Sequence, residues 1–191
     1  MTDCANLTLP FDIPTAGADF DRRADESRWI RAPRKTDAAA IHRLISECPP
    51  LDLNSVYTYL LLCEHFPQTC IVAGSGAPDG YTLDAFISAY LPPERPKTLF
   101  VWQVAVHERA RGHGLARQLL RELLRRPGLD AIQYIETTVG PDNAASRGMF
   151  TGLARQLHAQ VREESCFPPE LFGAHSHEDE PLLRIGPFGA A

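Results

Sequence analysis

Apolar positions along this chain fall into two periods, and the switches between them mark the elements. Residues 29–32 read as a first strand. Ala38, Ile41, Leu44, Ile45 and Cys48 then recur at i, i+3, i+4 spacing, which predicts a helix that Asp37 can cap and that Pro49 and Pro50 stop. The run LDLNSVYTYLLLCEHF predicts a second helix, with Asn54 or Ser55 as its N-cap and an end near Pro67. Residues 70–73 and 83–90 are apolar or alternating runs joined by the turn-rich GSGAPDG, a hairpin pattern. Pro92, Pro93 and Pro96 mark the next loop. Residues 98–106 read as a buried strand, 107–114 as a basic glycine loop, and the leucines after it as a helix running through Arg126, broken by Pro127 and Gly128. Another strand is expected over 131–139. Asp142 or Asn143 caps a short helix through about Leu153, and 157–162 and 182–185 complete the chain as strands. The order β-α-α-β-β-β-α-β-α-β-β predicts an α/β (α+β) fold, a mixed sheet with helices on its faces.

Composition narrows this picture. A chain of 191 residues, 44% hydrophobic and 23% charged, suits one domain with a sizeable core. That domain is expected over 28–191, because residues 1–27 mix Pro10, Pro14 and Gly17 with acidic residues in no sustained period and read as a mobile arm. A net charge of −5 argues against nucleic acid as a partner. Five cysteines without CxxC spacing predict neither a disulfide framework nor a zinc cluster, so a reducing cytoplasm is expected. The first residues lack a basic region followed by a long apolar run, and no later stretch reaches the ~20 apolar residues of a membrane helix, so no membrane association is expected.

The chemistry concentrates in the strand, loop and helix over 98–126. A glycine-containing loop exposes backbone N–H groups, the helix N-terminus behind it carries partial positive charge, and Arg109 and Arg111 add full charges. Phosphate is the natural guest. The loop Arg109-Ala110-Arg111-Gly112-His113-Gly114 resembles the Q/R-x-x-G-x-G/A signature of the GCN5-related N-acetyltransferases, or GNAT family, with strand and helix in the expected places. The resemblance implies a mainly antiparallel central sheet flanked by helices and acetyl-CoA as cosubstrate, without a metal. It assigns Arg109, Arg111, Gly112, His113, Gly114, Leu115 and Ala116 to the cofactor's pyrophosphate, and Asn143, Ser146 and Phe150 to a later cofactor-binding helix. Phe150 departs from the pattern: the family usually has tyrosine there, and phenylalanine has no hydroxyl for the leaving thiolate.

Longer segments carry a narrower resemblance. DLNSVYTYLLLCEHF, FVWQVAVHERARGHGLARQLL, TVGPDNAASRGMF and FPPELFGAHSHEDEPLLRI look like the branch of that family that acetylates L-2,4-diaminobutyrate in ectoine biosynthesis. This implies a small diamino acid substrate, acetylation of its γ-amino group, and a homodimer.

The residues can also be weighed on their own. A primary amine has a pKa near ~10, so roughly one molecule in a thousand is neutral and nucleophilic at pH 7. A site for it must remove a proton and orient a small zwitterion. A backbone N–H of Val104 or Val106 would meet the developing thioester oxyanion. For the substrate the sequence offers Asp52, Tyr57, Trp102, His177 and Glu180. Asp52 alone reads as a turn carboxylate, Tyr57 as core packing, and Trp102 as either core packing or a cation–π partner in a buried strand. The tail AHSHEDEP alone reads as a solvated loop, a metal site or a substrate lid. The resemblance favours a lid, with Glu180 or His177 as proton acceptor; Glu136, otherwise a strand-end surface carboxylate, is a third candidate base. Two other classes are weaker. A dinucleotide fingerprint starting at Gly112 lacks its third glycine, since position 117 is arginine, and a non-catalytic acyl-CoA sensor would need no diamine pocket.

Overall fold

The computed structural model describes residues 28–76, 80–173 and 179–189. Residues 1–27 and His177 therefore lie outside the described residues. The elements are β1 (Arg28–Arg31), α1 (Ala38–Ser46), α2 (Val56–His65), β2 (Ile71–Ser75), β3 (Thr82–Tyr90), β4 (Thr98–Val106), α3 (Leu115–Leu124), β5 (Tyr134–Thr138), α4 (Ala144–Gln156), β6 (Val161–Phe167) and β7 (Glu180–Ile185). Their order is the one the periodicity predicts. Several boundaries move. Burial of Leu153 and Ala154 carries α4 on to Gln156, and His158, at φ 52°, closes it with a left-handed residue, so the following strand starts at Val161 rather than 157. β5 starts at Tyr134 rather than 131, because residues 126–132 are taken up by successive turns.

One seven-stranded sheet runs β1-β2-β3-β4-β5-β7-β6. Every pair is antiparallel except β4 with β5. The last strand inserts between β5 and β6. The sheet separates two cores. On one face Leu119, Leu120 and Leu123 of α3 and Phe150 and Leu153 of α4 pack on Ile87, Leu99, Val101 and Ile135. On the other, Ile41, Leu44 and Ile45 of α1 and Tyr59 of α2 pack on Val72, Phe86 and Ala105. Alternation along the strands places Glu136 and Arg184 on that second face, opposite to their neighbours Ile135, Leu183 and Ile185.

Asp37 does not cap α1 with its side chain. Fully buried, it accepts from Arg31 Nη1 at 2.6 Å, Arg31 Nη2 at 2.9 Å and the Arg34 N–H at 2.6 Å, and also from the Tyr81 hydroxyl. Burial alone would raise its pKa; these donors outweigh it and hold the carboxyl below its usual range. The Arg31 guanidinium lies 4.4 Å from the Trp29 ring centroid, so this network ties β1 to α1 and to the strand hairpin.

Candidate active site

β4 and β5 pair only over Thr98–Phe100 and Tyr134–Glu136 and then part. Beyond Phe100, β4 has no strand neighbour on that side among the described residues. The main-chain direction follows from alternation. His107 N donates to Asp84 O at 2.8 Å and Gln103 N to Ser88 Oγ at 3.1 Å, so odd positions aim at β3 and the N–H groups of Val104 and Val106 aim into the gap.

A bulge sits beside this gap. The β3–β4 register passes from Ser88↔Gln103 directly to Ala89↔Val101, leaving Trp102 without an opposite residue. Val101 before it and Val104 after it both face α3 and α4, so the extra residue absorbs the change of phase. Trp102 and Gln103 consequently share the α1–α2 side. Trp102 is 42% exposed, so of its two readings core packing does not hold.

The gap opens into a cleft of about 460 Å³, lined on one wall by Cys48, Pro49, Pro50 and Leu51 from the end of α1 and on the other by β4, the loop after it, α3 and α4. Of the residues expected to hold the cofactor, Val104, Val106, Arg111, Gly112, Gly114, Leu115, Ala116, Asn143 and Ser146 line it. Gly114 is the N-cap of α3 at φ 74°, a left-handed conformation that glycine adopts freely, and no side chain caps the helix. Its first N–H groups are open to an anion. A Cβ on Gly112, at φ 82°, would meet nothing within 4 Å. The loop is thus bare where a pyrophosphate would approach. Those features fit an acyl-CoA.

Three residues expected to hold the cofactor sit differently. Arg109 turns back to the sheet: Nε donates to Asp84 Oδ1 at 2.8 Å and Nη2 to Leu83 O at 2.6 Å, holding the buried Asp84. His113 folds onto the Arg111 carbonyl at 2.8 Å and does not line the cleft. Phe150 is 2% exposed and packs in the α3–α4 core, so its ring serves packing. Sequence reasoning missed Arg117, noted only as the absent third glycine. It lines the cleft, and a Cβ on Gly152 would come within 2.6 Å of its Nη1, so Gly152 leaves the room that the guanidinium occupies. Asn143 caps α4, its Oδ1 accepting from Ser146 N at 3.0 Å. Cys48 was also missed as a cleft residue; burial raises its thiol pKa, so the neutral thiol is a poor nucleophile.

Of the expected substrate residues, Asp52, Tyr57 and Trp102 lie on the α1–α2 side, Glu180 starts β7, and His177 lies outside the described residues. Asp52 is exposed on the loop before α2, and its carbonyl accepts from Gln103 Nε2 at 2.9 Å, which brings this loop to the bulge and to Trp102. Ser55 caps α2 and Tyr57 follows at 66% exposed, so Tyr57 is a surface aromatic rather than core; Tyr59 fills the core instead. Glu180 is half-buried at the start of β7. Glu136, a candidate base whose other reading is a strand-end surface carboxylate, is not at the surface. It is fully buried, with Oε1 2.6 Å from Arg184 Nη1 and Oε2 2.9 Å from Arg95 Nη1. Arg184 in turn lies 4.1 Å from the Tyr134 ring centroid. Both oxygens face cations, an arrangement that orients the two arginines on the α1–α2 side of the sheet.

Comparison with known proteins agrees with this geometry. The model of the Acetyltransferase (GNAT) family matches residues 38–154. An L-2,4-diaminobutyric acid acetyltransferase from Bordetella parapertussis is 58% identical over 159 residues, covering 83% of this chain and 84% of the relative. One of the same name from Chromohalobacter salexigens is 43% identical over 185 residues, covering 96% and 94%. The diaminobutyrate acetyltransferase EctA from Paenibacillus lautus, solved with its substrate L-2,4-diaminobutyric acid and coenzyme A, superposes with a TM-score of 0.78 at 39% identity, covering 86% of this chain and 97% of that one. Ard1 from Thermoplasma volcanium, at 15% identity and a TM-score of 0.62, shares the fold alone.

Proposed function

Since the chain belongs to the GNAT family and, within it, to the L-2,4-diaminobutyric acid acetyltransferases, we propose that it transfers acetyl from acetyl-CoA to the γ-amino group of L-2,4-diaminobutyrate. The product is Nγ-acetyl-L-2,4-diaminobutyrate, and the step belongs to ectoine biosynthesis in the cytoplasm. The observation that carries the reading is the gap between β4 and β5, with the Val104 and Val106 N–H groups aimed into it and the bare N-terminus of α3 at its mouth.

Acetyl-CoA supplies an activated acyl group, and the chain's residues do the rest. The N–H groups of Leu115 and Ala116, with Arg111 and Arg117, hold the pyrophosphate. The N–H of Val104 or Val106 donates to the thioester oxygen as charge develops there, a preorganised donor that needs no side chain. Asp52 and Glu180 attract the ammonium groups, and Trp102 offers its ring face. Orientation of the amine contributes about 7 kcal/mol in favourable cases. Because only the neutral amine attacks, a carboxylate or His177 takes its proton, directly or through water. Glu136, between two guanidinium groups, serves as a positioning residue. The amine attacks the thioester directly, releasing coenzyme A as the thiolate.

A homodimer accords with the surface. Tyr57, Tyr90, Trp102, Phe167 and Leu171 are large apolar side chains exposed on α2, on β3, β4 and β6, and on the turn after β6. Activity is proposed to reside in residues 28–191. Coenzyme A release measured with L-2,4-diaminobutyrate, lysine, ornithine, spermidine and a peptide amino terminus tests the assignment. Turnover on diaminobutyrate supports it; none there, with turnover on another acceptor, overturns it.

A further inference from the structure

Gln103 is 4% exposed, yet half of its amide is unsatisfied. Its Nε2 donates to the Asp52 carbonyl at 2.9 Å, while Oε1 is buried with no hydrogen-bond partner among the described residues. The orientation of the amide follows from that contact, because only the nitrogen can donate to a carbonyl. A buried acceptor without a donor is costly and calls for a missing partner.

Its surroundings say which kind. The two amide atoms share one carbon, so Oε1 lies beside the Asp52 main chain. The bulge sets Trp102 on the same side of the sheet, and the next residue, Val104, aims its N–H into the gap that receives the thioester. An oxygen acceptor next to a carboxylate-bearing loop and an indole suits a donor that is cationic and small, an alkyl amine. We propose that Gln103 is a substrate-binding residue: Oε1 accepts a hydrogen bond from an amino group of the diamino acid, while Nε2 holds the Asp52 loop in place. This rests on the function proposed above. One amide thereby links the strand that polarises the thioester to the loop that attracts the amine.

Two variants separate its halves. Gln103→Met removes acceptor and donor at similar shape; Gln103→Glu keeps an oxygen acceptor and loses the donor to Asp52. We expect Q103M to raise the diaminobutyrate KM at least tenfold, Q103E to bind at least threefold better than Q103M, and the acetyl-CoA KM to stay within twofold in both. In the wild-type protein saturated with coenzyme A, the Gln103 side-chain amide NMR signal should shift on adding diaminobutyrate. An unchanged diaminobutyrate KM in Q103M, equal rises for both substrates, equal loss in Q103E and Q103M, or a static amide signal would each overturn the proposal. If Q103M does not fold, the wild-type NMR titration decides alone. Absence of diaminobutyrate turnover by the wild-type enzyme strikes the function itself; wild-type turnover with an unaffected Q103M strikes only the role of Gln103.

Discussion

Replacing Gly112 by Asn and by Asp separates the shape of the cofactor loop from its charge. At φ 82° the position is left-handed, and Asn and Asp tolerate that region better than other side chains. Nothing lies within 4 Å of the added Cβ, so neither variant clashes with the protein. Both bear a similar backbone cost, about 1 kcal/mol, or roughly 2–4 °C in Tm for a domain of this size. They differ by one charge. A carboxylate about 6 Å from a pyrophosphate charge, at an effective dielectric of about 20, meets a repulsion of about 2.8 kcal/mol before salt screening. With partial screening, G112D should bind coenzyme A roughly 10- to 100-fold more weakly than G112N, and the difference should shrink as salt rises. Titration calorimetry at low and high salt measures both. Equal affinities for the two variants would refute the placement of the pyrophosphate against this loop.

Other outcomes follow from the same geometry. Arg109→Met strands the buried carboxylate of Asp84 and should lower Tm while leaving coenzyme A affinity within threefold, whereas Arg111→Met should weaken coenzyme A several-fold with little change in Tm; calorimetry and thermal melts of both variants check this. Asp37 is held below its unfolded value of ~3.9, so its stabilisation is fully present above that value and is lost as pH falls through the folded one. Asp37→Asn should therefore melt lower at pH 7 and show a flatter Tm profile than wild type between pH 5 and 3. Burial pushes the thiols of Cys63 up to about 12 and Cys70 up to about 11, so at pH 8 both should resist alkylation in the native protein, read by mass spectrometry, and react once it is unfolded.

The order of elements was legible because each carries its own local pattern: helical spacing in α1 and α3, glycine and proline at the turns. The insertion of β7 between β5 and β6 was not, since strand order depends on pairings between residues far apart in the chain. The glycine loop and the helix behind it were legible, but the fate of each cation was not. Arg109 and Arg111 look alike in sequence, and only the fold shows Asp84 and the Leu83 carbonyl capturing one of them. Glu136 could be read as a base or as a surface group, because no local signal announces Arg95 and Arg184 converging on it from other loops and strands. The bulge at Trp102 was equally silent. An alternating strand carries no mark of the single extra residue that exposes an indole and turns Gln103 to the Asp52 loop.

The central claim is that the gap between β4 and β5 presents a thioester to the γ-amine of a diamino acid. Incubation with carbon-13-labelled acetyl-CoA and L-2,4-diaminobutyrate, followed by NMR of the product, tests it most directly. The account predicts a single labelled amide on the γ nitrogen, formed catalytically. Label on the α nitrogen, or none on diaminobutyrate while another amine is acetylated, would contradict it.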